Sequence, residues 1–163
     1  MYRVAIITAS DKGSKGERID ESGAKIKEIV SSYNYEVVHY KVLPDDKETL
    51  ANEMKYICDN DIADLILTTG GTGFSARDNT PEATLSIADK LVPGIPEAMR
   101  AYSMQITKRT MLSRAVSVIR KNTLIINLPG SPKAVKENLD FIVDSLDHGL
   151  DILKGNASEC ARK

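Results

Sequence analysis

Three β-branched runs, "YRVAIITAS" (2–10), "YEVVHYKVL" (35–43) and "ADLILTT" (63–69), each give way to turn residues before an apolar stripe of helical period takes over. This alternation constrains the fold more than any other feature. Strands separated by helices pair in parallel through crossovers, and the helices must cover both faces of the sheet. The first helix is expected behind an Asp20 N-cap, with Ile26, Ile29, Val30 and Tyr33 on one stripe. Asp45 and Glu48 have capping-box spacing ahead of Leu50, Met54, Ile57 and Cys58. Thr80-Pro81-Glu82 reads as N-cap, first-position proline and an acid that complements the helix dipole. Pro93 and Gly94 break that helix, and Ile95, Met99, Tyr102 and Ile106 mark the next. Residues 115–130 read as two strands around a Lys121-Asn122 turn. Ser131-Pro132 then opens a helix running to about Lys154, which Gly155 ends. The expectation is one domain over 1–155, a three-layer α/β/α fold with a mostly parallel, doubly wound sheet and one antiparallel edge strand. Residues 156–163 are expected to form a frayed tail.

Composition narrows the function. The 163 residues are 42% hydrophobic and 28% charged, with a net charge of −1 and no block of like charge, which argues against nucleic-acid and membrane-surface binding. No apolar run is long enough for a membrane span and no leader pattern opens the chain, so a cytoplasmic protein is expected. Cys58 and Cys160 form no C-x-x-C pattern, which argues against a zinc site or a disulfide scaffold. His39 and His148 stand alone and read as ordinary surface or core histidines.

Ligands of such sheets bind beyond the carboxyl ends of the strands. Ser10 and Asp11 follow the first strand, Asp45 the second, and Gly70, Gly71, Gly73, Arg77 and Asp78 the third. Asn127, Pro129, Gly130 and Ser131 follow the last. Aspartates gathered at one rim with little basic compensation favour a bound cation, and hard oxygen donors beside phosphates suit Mg²⁺. Simpler roles stand beside these: Asp45 as a helix cap, Asp11 as a turn closer, the glycines as turn punctuation, and Glu97 with Arg100 as an ion pair three residues apart. Asp78 is the hardest to explain by a simpler role, since it lies two residues before the cap Thr80 in a loop already rich in turn residues. Gly71-x-Gly73-x-x-Ala76 fits the dinucleotide fingerprint only formally, because it follows the third strand and no helix opens on it. A P-loop lysine is absent, and no nucleophile triad can be argued from spacing.

"TTGGTGFSARDNTPEAT" (68–84) resembles the signature of the molybdopterin adenylyltransferase family, the MogA/MoaB group with its gephyrin and Cnx-type relatives. "SDKGSKGERIDESG" (10–23), "LPDD" (43–46), "PGIPEAMR" (93–100), "LSRAVSVIR" (112–120) and "NLPGSPKAVKE" (127–137) resemble further blocks in the same order. The resemblance implies a homotrimer that uses ATP, molybdopterin and Mg²⁺ to make adenylyl-molybdopterin and pyrophosphate. A separate enzyme then inserts molybdate. Asp45 and Asp78 match the family's functional, metal-linked aspartates. Ser10, Asp11, Gly70, Gly71, Thr72, Gly73, Thr80, Glu97, Ser113, Arg114, Asn127, Pro129, Gly130, Ser131 and Pro132 match positions lining the substrate pocket. The alternative is a MoaB-type binding protein or a trimeric scaffold without transferase activity. Retention of both aspartates favours the enzyme.

Overall fold

The computed structural model describes residues 1–156; Cys160 and residues 157–163 of the expected tail lie outside the described residues. In chain order the elements are β1 (Tyr2–Ala9), α1 (Asp11–Ser14), α2 (Glu21–Val30), β2 (Tyr35–Leu43), α3 (Lys47–Asp59), β3 (Leu65–Thr69) and α4 (Thr80–Ser86). They continue with β4 (Lys90–Leu91), α5 (Gly94–Ser103), a 3-10 turn (Lys108–Leu112), β5 (Ser117–Arg120), β6 (Thr123–Leu128) and α6 (Pro132–Leu153). The sheet order is β2-β1-β3-β6-β5-β4. β1, β2, β3 and β6 are parallel, whereas β5 runs antiparallel to both β6 and β4. The antiparallel margin is thus the β5–β4 side. β4 has two residues, too few to show a period in sequence.

The apolar runs of β1, β3 and β6 are continuous because both sheet faces are covered. Val4 and Ile6 of β1 join Leu65, Leu67, Leu124 and Ile126 in a core under α2, α5 and α6. Ala5, Ile7 and Ala9 point the other way and meet Ile66, Ile125 and the α3 residues Leu50, Met54 and Ile57. The stripe of α6 is buried at Val135, Leu139, Val143, Leu146 and Leu150, and each such side chain stabilises the fold by roughly 1.5–3 kcal/mol relative to exposure.

Several boundaries differ from expectation. Asp46, not Asp45, caps α3: its carboxylate accepts from the Thr49 N–H at 2.9 Å and from the Thr49 hydroxyl at 2.6 Å. Two adjacent aspartates have the same capping chemistry, and the path of the chain leaving β2 selects the second. Asn79 rather than Thr80 precedes α4, with no side-chain cap, and Thr80 is the first helical residue. Residues 11–14 form a helical turn instead of an open loop, capped by Ser10 through the Gly13 N–H. Tyr33 and Ile106 lie past the ends of α2 and α5 and are exposed. Asp20 and Ser131 cap α2 and α6 as expected.

Candidate functional site

The chain leaves β1 for β2 on one side and returns to β3 on the other, so the strand order reverses between β1 and β3. The loops that follow these two strands diverge and leave a crevice at their carboxyl ends. A cleft of about 460 Å³ lies there. Ser10, Asp45, Gly70, Gly71, Asp78, Gly130 and Pro132 line it, which brings together expected residues from four separate segments of the chain.

Asp45 reaches the cleft because it does not cap its helix. Its Oδ2 accepts from the Asp11 N–H at 3.0 Å, and Asp11 Oδ1 accepts from the Asp45 N–H at 3.0 Å, a reciprocal pair that locks the ends of β1 and β2 together. The Arg77 fork donates to both oxygens of Asp11, at 3.0 and 2.9 Å. That bidentate contact holds the Asp11 carboxyl below its usual range, and the Asp45 N–H adds to the effect. Asp45 is shifted the other way: burial raises it, the Asp11 N–H opposes, and the charges of Asp11 and Asp78 raise it further. Asp78 is held by its own loop, its Oδ2 accepting from the Ser75 N–H at 2.9 Å. Among the described residues, Asp45 Oδ1 and Asp78 Oδ1 receive no hydrogen bond.

These two free oxygens fit a hard divalent cation. Among the described residues no three acidic, histidine or cysteine side chains converge on one point. Mg²⁺ needs no such cage, since it is held by one or two carboxylates with waters and phosphates completing its shell. A cation would also offset the burial and the neighbouring Asp11 and Asp78 charges that raise Asp45.

The glycine loop has structural reasons of its own. Gly70 (φ +88°) and Gly71 (φ +69°) occupy the left-handed region, and a Cβ on them would strike the Ala9 carbonyl and the Thr80 hydroxyl. A Cβ on Gly73 would come within 2.8 Å of Asp78 Oδ2. The glycines therefore bring backbone close to the cleft and also let the loop pack beneath it.

The other expected residues divide. Thr72, Gly73, Ser113 and Pro129 line a second cleft of about 300 Å³ beside α5 and the start of α6. Asn127 does not line either cleft: it is fully buried, its Oδ1 accepting from the Val116 N–H and its Nδ2 donating to Thr68 and Thr84 at 3.0 Å each. Thr80 is likewise fully buried and donates to the Gly70 carbonyl at 2.9 Å. Both support the loops from below. Ser131 spends its hydroxyl on capping α6. Glu97 lines a separate shallow cavity of about 140 Å³, removed from Asp45 and Asp78 by its place on α5. It forms no ion pair with Arg100, which donates to the Ser113 and Ala115 carbonyls. Arg114 turns its guanidinium onto the Gly73 and Asp78 carbonyls and Glu82, and lines neither cleft.

Thr8, Arg18, Ile19, Asp20, Glu21 and Ser22 also line the first cleft and escaped the sequence argument as site residues. Asp20 accepts from Thr8 at 2.7 Å, from Tyr40 and from the Gly23 N–H, and Ser22 donates to the Gly130 carbonyl at 2.6 Å. The rule that pointed to Ser10 and Asp11 covers them too, once the start of α2 is counted with the loop after β1.

A sequence model for the family described as probable molybdopterin binding domain matches residues 5–148. A molybdopterin adenylyltransferase of Helicobacter pylori strain J99 is 38% identical over 162 residues, covering 98% of this chain and 92% of that protein. The crystal structure of the molybdopterin biosynthesis enzyme MoaB from Thermus thermophilus superposes with a TM-score of 0.90 at 42% identity, covering 95% of this chain and 98% of that one. The molybdopterin biosynthesis Mog protein of Mycobacterium ulcerans superposes with a TM-score of 0.87 at 34% identity, over 94% and 97% of the two chains.

Proposed function

The chain belongs to the family of probable molybdopterin-binding domains, and from that premise we propose that it is a molybdopterin adenylyltransferase. In the reaction, a terminal phosphate oxygen of molybdopterin attacks the α-phosphorus of ATP. A new phosphorus–oxygen bond forms, the bond to the bridging oxygen of the β-phosphate breaks, and pyrophosphate leaves with the electron pair. The nucleophile is already an anion, so no side chain has to remove a proton. Among the described residues no histidine lines the cleft, in keeping with that chemistry. The task is to bring two anions together and hold them in line.

The observation that carries this reading is the pair Asp45 and Asp78. Both line one cleft, each with one oxygen pinned by a backbone N–H and the other left for a ligand. They are the residues that would hold Mg²⁺, which when bound supplies Lewis acidity to the phosphates. Asp11 orients Asp45 through its backbone, and the Gly70–Gly71 turn lets an anion approach main-chain amides. The same reading includes a homotrimer, a cytoplasmic setting and transfer of product to a molybdate-insertion enzyme. An apolar groove between α5 and α6, with Phe141 stacked on Tyr102 and half-exposed, supports self-association. No helix of the described residues is long and apolar enough to cross a membrane.

The test is incubation with molybdopterin, ATP and Mg²⁺, following pyrophosphate and adenylyl-molybdopterin. Asp78→Asn should lower turnover by about 100-fold or more while molybdopterin binding and melting temperature persist. Full activity in that variant would remove the metal role. Wild-type protein that binds molybdopterin without forming product would favour the binding or scaffold alternative.

A further inference from the structure

We propose that Arg114 is a positioning residue. Paired with Glu82, it holds the Gly73–Asp78 loop so that Asp78 faces the cleft, and it does not itself bind substrate. The inference rests on the transferase reading only for its kinetic arm.

One other side chain ties the loop to the fold: Arg77 donates to both oxygens of Asp11, in a pair that is largely exposed to solvent. Phe74 is 72% exposed and anchors nothing. Within the loop, the Asp78 N–H donates to the Ser75 carbonyl at 3.0 Å, and the Ser75 N–H returns to Asp78 Oδ2. Arg114 supplies the contact that grips both ends of the loop. Its Nε donates to the Gly73 carbonyl at 2.7 Å, at the start of the loop. Its Nη2 donates to the Asp78 carbonyl at 2.7 Å, at the end. Its own N–H donates to the Thr72 carbonyl at 3.0 Å, so the backbone that carries the guanidinium is tied to the same loop. The remaining nitrogen, Nη1, pairs with Glu82 Oε1 in the first turn of α4.

Glu82 makes the strut hard to release. Its second oxygen, Oε2, is shielded from solvent and has no hydrogen-bond partner among the described residues. Withdrawing Arg114 would leave the half-exposed Glu82 carboxylate, with its one buried oxygen, without the ion-pair partner it has here. The planar fork matters as well. One guanidinium spans two carbonyls and a carboxylate, whereas a lysine ammonium on its single stem cannot match three fixed directions. Arg114 lines neither cleft, and its guanidinium contacts run to the loop and to α4.

The test compares Arg114→Lys, Arg114→Ala and Glu82→Gln with the wild type. Loss of positioning should lower kcat by about 10- to 100-fold, with KM for ATP and for molybdopterin each within about twofold. Added methylguanidine should recover part of the Arg114→Ala loss, and Arg114→Lys should not recover it. Amide hydrogen exchange across 73–78 should speed up in all three variants, while that of β3 and β6 stays unchanged. A raised KM for one substrate with kcat intact would make Arg114 a ligand and overturn the proposal, as would unchanged loop exchange. Glu82→Gln keeps the side-chain shape and decides the matter if an Arg114 variant does not fold. If the wild type forms no adenylyl-molybdopterin, the transferase reading fails, and the exchange arm still decides whether Arg114 is the strut.

Discussion

Burial raises the Asp45 carboxyl, the Asp11 N–H pulls it back, and the charges of Asp11 and Asp78 raise it again. A carboxyl raised on folding favours the folded state only while protonated. Its contribution is full below the unfolded pKa and is lost as pH rises through the folded one. At neutral pH the ionised Asp45 therefore works against the fold. Asp45→Asn keeps an acceptor for the Asp11 N–H and removes the charge. It should melt higher than wild type at pH 7 while losing adenylylation, and the gap in melting temperature should close in acid, where Asp45 is protonated in both states. A lower melting temperature at pH 7 would contradict the repulsion argument. A residue kept at a cost to stability is the pattern expected where a cation and phosphates complete the charge balance.

The loops that carry the cleft rest on a buried polar layer between the elements. Asn127 of β6 receives the Val116 N–H and donates to Thr68 of β3 and Thr84 of α4. Thr84 also donates to the Thr80 carbonyl, and Thr69 donates to the Pro129 carbonyl at 2.6 Å. These bonds set the heights of the glycine turn and the 129–131 turn relative to each other. Asn127→Ala leaves a donor and two hydroxyls without that partner, so it should cost about 2–3 kcal/mol in urea unfolding. Because Asn127 does not touch the cleft, KM values of the folded variant should stay within about twofold of wild type. A large KM increase with stability intact would instead return Asn127 to the substrate-contact role its position in the family pattern suggests.

Across the whole molecule, one face of α5 and α6 remains unlike the rest of the surface. Half-exposed Phe141, partly buried Ile95, Ala98 and Leu153, and buried Leu146 line an apolar groove of about 560 Å³, and Leu91 of β4 and Ile152 of α6 are exposed. If this face joins copies of the chain, light scattering should give three times the chain mass, and Phe141→Glu should reduce it to one. A monomeric wild type would remove the trimer from the proposal. The layered class and the order of the long strands and helices were legible in the sequence, whereas the helical turn at 11–14 and the two-residue β4 were not, and the strand-end rule reached part of the rim. Strand periods and caps such as Asp20 and Ser131 are local, and the rule that ligands meet at strand ends needs only connectivity. The glycine loop and Asp78 were legible for the same reason. Only the tertiary structure decided which aspartate caps α3, because Asp45 and Asp46 are chemically equivalent until β2 is docked against β1. It also decided that Asn127 and Thr80 point into the core, that Glu97 sits apart on α5, and that Arg114 grips the loop. Those outcomes depend on which side chains from distant segments arrive at the same depth and direction, and packing between layers sets that.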